Sequence, residues 1–238
     1  MGKAKGIIKA TLKNAAAYRF EFLMTLVVAP AWLAVFYFLW STIYSNSGVD
    51  VIRGFTFQQL MSYYVVSWIV GILTYTNIED ELAHGVRSGM IVRDMLSPIE
   101  YLWFIFYSNV GTRIFAAIVE FIPVLIIGLI FFSLQLNPVY LLLFAISITL
   151  VFTLNFFISA LVGMTAFWIV HNRGITRLRK VFVYFLSGSM IPITFFPLWF
   201  QKVSFFLPFQ YLTFVPINIW LGKYSIAETF QFLGMQLA

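Results

Sequence analysis

The side chains of this chain that could do chemistry are concentrated in one stretch, residues 77–100 (NIEDELAHGVRSGMIVRDMLSPIE). It contains five of the nine acidic residues, namely Glu79, Asp80, Glu81, Asp94 and Glu100. Carboxylates at this density can act as general acids or bases, bind a cation, or offer a charged surface to a partner. Long apolar runs flank the stretch on both sides. We therefore interpret it as a water-exposed loop between two membrane segments. A soluble protein could bind to this loop.

A metal or nucleotide site is the first alternative for this polar stretch. Asp80 and Glu81 lie four and three residues before His84, a helical spacing that could hold a metal ion. Exposed groups of three such side chains are mostly solvated helix faces, so we predict no metal site. The phosphate-binding pattern G-x-x-x-x-G-K-[ST] is not met by Gly222-Lys223, because Tyr224 follows the lysine and Ile217 stands where the first glycine belongs. We expect a chain that is not an enzyme and has no cofactor of its own.

Composition assigns the chain to the integral membrane proteins. Of its 238 residues, 61% are hydrophobic and only 10% are charged, with a mean hydropathy of +0.92. Soluble domains carry about 25% charged residues. The absence of cysteine excludes disulfides and thiolate metal sites. The net charge of +6 would suggest nucleic acid as the partner of a soluble protein. Here the positive residues flank apolar runs, where they act as orientation signals, so we predict no nucleic-acid partner.

The apolar runs predict an all-α fold with five spans, at residues 22–44, 57–76, 110–134, 139–170 and 181–196. Before them, residues 3–20 predict an amphipathic helix at the membrane surface, with lysines recurring every four residues. We treat residues 1–238 as a single transmembrane domain that contacts membrane lipid.

Lysine and arginine predict the orientation of the spans. Eleven of these residues lie in the N-terminal segment, the 77–100 stretch and the 171–180 loop, against three on the opposite side. The side that is rich in positive charge faces the cytoplasm. We therefore predict a multi-pass protein of the plasma membrane with a cytoplasmic N-terminus.

The last part of the chain is apolar but broken by prolines. Residues 197–224 are too apolar for a free loop, yet three prolines forbid one continuous helix, so we predict two short re-entrant helices on the outer side. Ser225 and Glu228 form a capping-box pattern, which predicts that a helix starts at residue 226. We interpret residues 226–238 as the beginning of a sixth span, and we expect the protein to continue past Ala238. The candidates for an outer gate are Pro192, Pro197, Pro208, Phe209 and Pro216.

Two spans contain polar residues that could line a substrate path. Arg113 and Glu120 are seven residues apart in the third span, so they share a helix face about 10 Å apart. In one interpretation, both side chains line a substrate path or form a proton relay. In the other, Arg113 reaches the lipid headgroups, and Glu120 is the one ionisable side chain left in the interior of the span. Asn155 in the fourth span favours an interhelical hydrogen bond over a ligand contact. Glu120 and Asn155 are the candidate substrate-path residues.

Three stretches resemble one known family. Residues 78–102 are similar to its first cytoplasmic loop, which combines acidic residues with an Arg-Ser-Gly and a Leu-x-x-Pro pattern. Ala166-Phe167-Trp168 is similar to an aromatic pair of the family. Residues 187–222 resemble its Gly–Pro–FP–LPF–P–LG block. The family is that of the type-2 permease subunits of ABC exporters, in the subgroup of drug or antibiotic export permeases. Those permeases have six spans, whereas the sixth is only begun here.

The resemblance implies partners and a docking site. Family members dimerise with the same or a related permease and bind two ATPase subunits, which hold ATP and magnesium. Their first cytoplasmic loop forms a coupling helix that docks on the ATPase, with Gly85 and Gly89 at its turns here. The implied docking residues are Glu79, Asp80, Glu81, Arg87, Ser88, Gly89 and Pro98. The alternative is a merely solvated loop.

The function that follows is the membrane-spanning subunit of an ATP-driven exporter, which works by alternating access. The alternatives are an ion-coupled secondary transporter and a membrane-embedded enzyme, both of which would work without an ATPase.

Overall fold

The computed structural model describes residues 2–17, 19–95, 100–132, 134–169 and 172–237, and most of these residues are helical. The first half of the chain contains α1 (Gly2–Ala17), α2 (Arg19–Ser47), a hairpin of β1 (Val51–Ile52) and β2 (Phe55–Thr56), α3 (Phe57–Thr74), α4 (Ile78–Ser88) and α5 (Met90–Met95). The hairpin is antiparallel, with Val51 opposite Thr56.

The second half is also helical. It contains α6 (Tyr101–Ala116), a π-helical turn (Ala117–Phe121), α7 (Ile122–Phe131), α8 (Pro138–Met164), α9 (Arg173–Leu186), α10 (Leu198–Phe206), α11 (Phe214–Trp220) and α12 (Ile226–Leu237). Short 3₁₀ turns lie at Thr165–Phe167, Ile193–Phe195 and Pro208–Leu212.

Three helical segments among the described residues are long and apolar enough to cross a membrane. They are Leu26–Ser47, Tyr101–Phe131 and Pro138–Phe167. They agree with the prediction of an all-α membrane protein, while the number of spans stays a prediction. Helix α3 has 18 residues, about 27 Å of helix, but it carries tyrosines and serines that are buried inside the protein.

Helix α3 is the centre of the core. Leu60, Tyr63, Tyr64 and Ile69 are fully buried. On one side, the indole Nε1 of Trp40 in α2 donates to the hydroxyl of Tyr64 (2.9 Å). On another side lies α11, every residue of which is buried. A helix surrounded in this way can carry polar groups because other parts of the protein, rather than lipid, satisfy them.

Two predicted spans differ from the structure. The third begins at Tyr101 instead of residue 110, because residues 101–107 are themselves apolar or aromatic and belong to the same helix. The fifth, predicted at 181–196, starts inside α9 and passes its end at Leu186. Gly188 there has φ +81°, a left-handed conformation that ends a helix, and Pro192 has no N–H to continue one. The segment 181–196 is therefore not one continuous helix.

Side chains of α3 satisfy the broken backbone after α9. Tyr63 Oη donates to the carbonyl of Gly188 (2.6 Å), and Tyr64 Oη donates to that of Met190 (3.1 Å). Ser67 Oγ is 3.4 Å from the carbonyl of Ser189. Irregular backbone persists at membrane depth only where the protein satisfies it in this way.

The two ends of the chain agree with the sequence patterns. In α1, Lys5, Lys9 and Lys13 are exposed, and Thr11 Oγ1 lies 3.2 Å from Ser108 Oγ of α6. The capping box before α12 is present, because the Glu228 carboxylate accepts from the Ser225 N–H (2.8 Å) and Ser225 Oγ accepts from the Glu228 N–H (3.3 Å).

Replacing Gly188 by alanine should destabilise the protein. The left-handed backbone alone costs a side chain about 1–2 kcal/mol. A Cβ there would also lie 3.1 Å from Tyr63 Oη and 3.2 Å from Phe214 Cβ. We expect Gly188→Ala to lower the melting temperature of the detergent-purified protein.

The matched control is Gly174→Ala in α9, where a Cβ meets nothing within 4 Å. It should leave the melting temperature unchanged or raise it slightly. Equal melting temperatures for the two variants would contradict the assigned role of Gly188.

Candidate functional site

The candidate docking helix α4 has one buried and one exposed face. Ile78, Glu79, Leu82, Ala83 and Gly85 are buried. The exposed face carries Glu81, His84, Arg87 and Ser88. The helix ends at Gly89, whose φ of +71° is the left-handed conformation that favours glycine. A turn at Gly89 therefore ends α4, and the polar face next to it is exposed.

Close packing against α8 fixes the position of α4. A Cβ at Gly163 of α8 would lie only 2.7 Å from Leu82 Cδ1 and 3.1 Å from Glu79 Cα, so only glycine allows this approach. Thr76 Oγ1 and Ser159 Oγ, 2.8 Å apart, join the preceding linker to the same helix. Gly85 lies inside α4, close to the hydroxyl of Tyr101, and does not form the turn that the resemblance implied.

Glu79 does not lie on the exposed face, contrary to the prediction that it contacts an ATPase. Its side chain is 0% exposed and forms an ion pair with Arg179 of α9. It occupies the position beside Ile78 on the face of α4 that packs inward, so the cation of a neighbouring helix has to balance its charge. Burial raises the pKa of Glu79, and Arg179 and then Lys180 offset part of that rise.

The other predicted docking residues lie in different surroundings. Asp80 accepts from Lys180 Nζ (3.1 Å), and both side chains are partly exposed, at 46% and 39%. Ser88 Oγ donates to the carbonyl of His84 (2.8 Å) and closes the end of the helix. Pro98 lies outside the described residues.

Arg179 also joins α9 to α8 and α3. Its Nη1 donates to Asn155 Oδ1 (3.2 Å), and Asn155 Nδ2 donates to the carbonyl of Thr74 (2.8 Å). The interhelical hydrogen bond predicted for Asn155 is thus present. Through two contacts, Arg179 connects the docking helix, α8 and the end of α3.

The C-terminal turn of α3 receives donors from its neighbours. The last carbonyls of a helix have no partner within it and carry partial negative charge. Arg113 Nη1 donates to the carbonyl of Ile72 (2.8 Å), and its guanidinium lies 5.5 Å from the ring centroid of Tyr75. Arg113 therefore points inward, which supports the interpretation as a lining residue over that of a headgroup anchor.

These residues surround a cavity of about 750 Å³. Its lining includes both candidate substrate-path residues, Glu120 and Asn155, together with Arg113, Arg179 and Lys180. Glu120 is 8% exposed and lies in the π-helical turn, three residues before Pro123, which cannot donate to the helix. π-helical turns are frequent at functional sites. The volume is within the range of small-molecule sites, about 300–1,000 Å³.

The proposed outer-gate residues are not brought together at this cavity. Pro192 and Pro216 are buried, Pro197 and Pro208 are exposed before α10 and at the following 3₁₀ turn, and Phe209 is half-buried. None of these is among the described residues that line the cavity, although Ser189, Leu212 and Thr213 of the same part of the chain are.

Arg179 and Lys180 were not predicted as site residues, because residues 171–180 were interpreted as a positively charged loop. Residues 173–180 form the first half of α9, with basic residues at 173, 177, 179 and 180. The i,i+4 and i,i+3 spacing of Arg173, Arg177 and Lys180 was an available signal for a helix, but Arg179 does not belong to that stripe.

Removing Arg179 should leave a buried carboxylate without its counter-ion. Losing one member of a buried pair costs about 3–5 kcal/mol. In Arg179→Gln the pKa of Glu79 should rise further. A carboxyl group with a raised folded-state pKa contributes stability at low pH and loses it as the pH rises through that pKa. The melting-temperature deficit of Arg179→Gln should therefore grow from pH 5 to pH 8.

The double variant Glu79→Gln/Arg179→Gln should recover most of the stability that Arg179→Gln loses, because neither position then carries a charge. Its melting temperature should also depend less on pH than that of Arg179→Gln. Asp80→Asn, which breaks the exposed pair, should cost at most about 1 kcal/mol. Additive losses in the double variant would contradict a direct Glu79–Arg179 interaction.

Comparison with known proteins identifies the family. Residues 31–238 match the family described as ABC-2 family transporter protein. No curated protein and no solved structure matches the chain. The match covers α3, α4 and α9 and hence the whole cavity just described. The chain belongs to the ABC-2 transporter family, as a membrane permease component of an ABC transporter.

Proposed function

We propose that this permease is the membrane-spanning subunit of an ATP-driven exporter, and that α4 is its coupling helix. It pairs with a second permease chain, the same or a related one, and with two cytoplasmic ATPase subunits that bind ATP and magnesium. It lies in the plasma membrane with its N-terminus in the cytoplasm and exports a drug-like or antibiotic compound. The observation that carries the proposal is the Glu79–Arg179 ion pair, which joins α4 to the wall of the cavity.

The exposed face of α4 is the proposed contact with the ATPase. Glu81, His84 and Arg87 lie on this face, whereas the opposite face is packed on α8 at Gly163. A partner that pushes on the exposed face therefore meets a helix that is supported from behind. Such a helix transmits a displacement to its neighbours rather than absorbing it.

Arg179 is the proposed point at which this displacement reaches the cavity. The buried pair is costly to break, so a movement of Glu79 carries Arg179 and helix α9 with it. Because Arg179 and Lys180 line the cavity, the shape of the cavity changes when α4 moves. ATP drives alternating access only if the ATPase contacts α4 differently in its two states, since equal affinity for both would shift nothing.

Family membership disfavours the two alternatives of the sequence analysis. An ion-coupled carrier and a membrane-embedded enzyme work without an ATPase, whereas permeases of this family have ABC ATPase partners.

Removing charge from the exposed face of α4 should uncouple the ATPase. We expect Glu81→Ala/Arg87→Ala to reach the membrane in normal amounts but to lose substrate-stimulated ATP hydrolysis about tenfold, equivalent to roughly 1.4 kcal/mol of interaction. The measurement is the ATPase rate of the reconstituted complex, with and without substrate.

The matched control is Asp50→Ala/Lys202→Ala, which removes one exposed acid and one exposed base at positions distant in sequence from α4. It should keep the wild-type rate. Wild-type stimulation in Glu81→Ala/Arg87→Ala would refute α4 as the coupling helix.

A further inference from the structure

The cavity beside α4 is chemically polarised along its length. Helices α3 and α9 line it. At the end near α4, the last turn of α3 meets Arg113, and the first half of α9 supplies Arg179 and Lys180. One turn farther along each helix, away from α4, the lining includes Trp68 of α3 and Tyr184 of α9. The cavity thus has a cationic end and an aromatic region beyond it.

The aromatic region is a preformed wall. Trp32 of α2 packs against Trp68 with ring centroids 5.1 Å apart, and both line the cavity. Trp32 also contacts Tyr64 edge to face at 5.8 Å. Rings that are held in place by other rings offer a flat apolar surface to a ligand at little entropic cost.

Three of the four charged residues in the described lining are cationic. Among the described residues that line the cavity, Arg113, Arg179 and Lys180 are cationic and Glu120 is the one acid. Glu120 lies seven residues from Arg113, about 10 Å farther along the same helical segment. Glu79 and Asp80 pair with Arg179 and Lys180 from the side of α4 and lie outside the lining, so the cationic member of each pair is the one that lines the cavity.

From this arrangement we propose that the cavity binds an amphipathic anion. The acidic group lies between Arg113, Arg179 and Lys180, where guanidinium and ammonium groups form charge-assisted hydrogen bonds with phosphate or carboxylate oxygens. The apolar body lies against Trp32, Trp68 and Tyr184. The inference rests on the proposed transport function and names its substrate class, whether the anion is a membrane phospholipid or a free amphiphile.

Binding of two probes with equal tails tests the charge preference. The full-length protein in phosphatidylcholine nanodiscs is titrated with dodecyl phosphate or dodecyltrimethylammonium, and tryptophan fluorescence is recorded. We expect dodecyl phosphate to bind at least about tenfold more tightly than the cation. Lys180→Gln and Arg113→Gln should each weaken dodecyl phosphate binding about tenfold, the range expected for one charge-assisted hydrogen bond.

The matched control is Lys202→Gln, an exposed cation of α10 outside the cavity lining, which should bind like the wild type. Lys180 is 39% exposed, so its variant tests the proposal even if Arg113→Gln does not fold. Equal binding of the two probes, or wild-type binding by both Lys180→Gln and Arg113→Gln, would overturn the proposal.

A second set of nanodiscs identifies the source of the anion. If phosphatidylglycerol in the bilayer weakens dodecyl phosphate binding, the cavity takes its anion from the membrane, and if it does not, the ligand is a free amphiphile. Either result agrees with an anion site. These binding assays need no ATPase, so a negative result would overturn the anion site without bearing on α4 as the coupling helix. A negative result in the Glu81→Ala/Arg87→Ala test would likewise leave the binding result unaffected.

Discussion

The buried ion pair between Glu79 and Arg179 is the constraint on which the rest of the site depends. A carboxylate with no exposed surface is tolerated only beside a cation, and this cation comes from a different helix. The pair therefore sets the position of α9 relative to α4. Arg179 in turn orients Asn155, and Asn155 holds the last turn of α3. Polar contacts between three elements thus meet at one guanidinium.

Helix α9 needs this constraint because little else holds it. Many of its apolar side chains are exposed, including Leu178, Val181, Phe182 and Phe185. Beyond Leu186 the backbone is irregular and is held by hydroxyls of α3. A helix that is attached at its middle and just beyond its C-terminal end, and exposed along one side, can move as a unit. In the proposed mechanism this property makes α9 the moving wall of the cavity.

Local patterns in the sequence predicted much of the fold, and long-range contacts account for what they did not predict. The capping box at Ser225 and Glu228 is set by neighbouring residues, so it could be read from the sequence, whereas the turn at Gly89 was implied by the family resemblance. The inward position of Glu79 depends on Arg179, which lies far away along the chain. The break after α9 depends on Gly188, which lies between Ser187 and Ser189 in a short polar interruption of a long apolar stretch. The cavity itself brings together residues of five helices, which no single stretch of sequence reveals.

The central claim, that α4 and the cavity wall move together, is tested most directly by spin-label distances. The chain has no cysteine, so pairs can be introduced at His84 and Gly174, and at His84 and Lys202, with no other thiol to remove. These sites lie on α4, α9 and α10. In the complex with its ATPase, ATP binding should leave the 84–174 distance unchanged and alter the 84–202 distance. A change in the 84–174 distance on ATP binding would contradict the account.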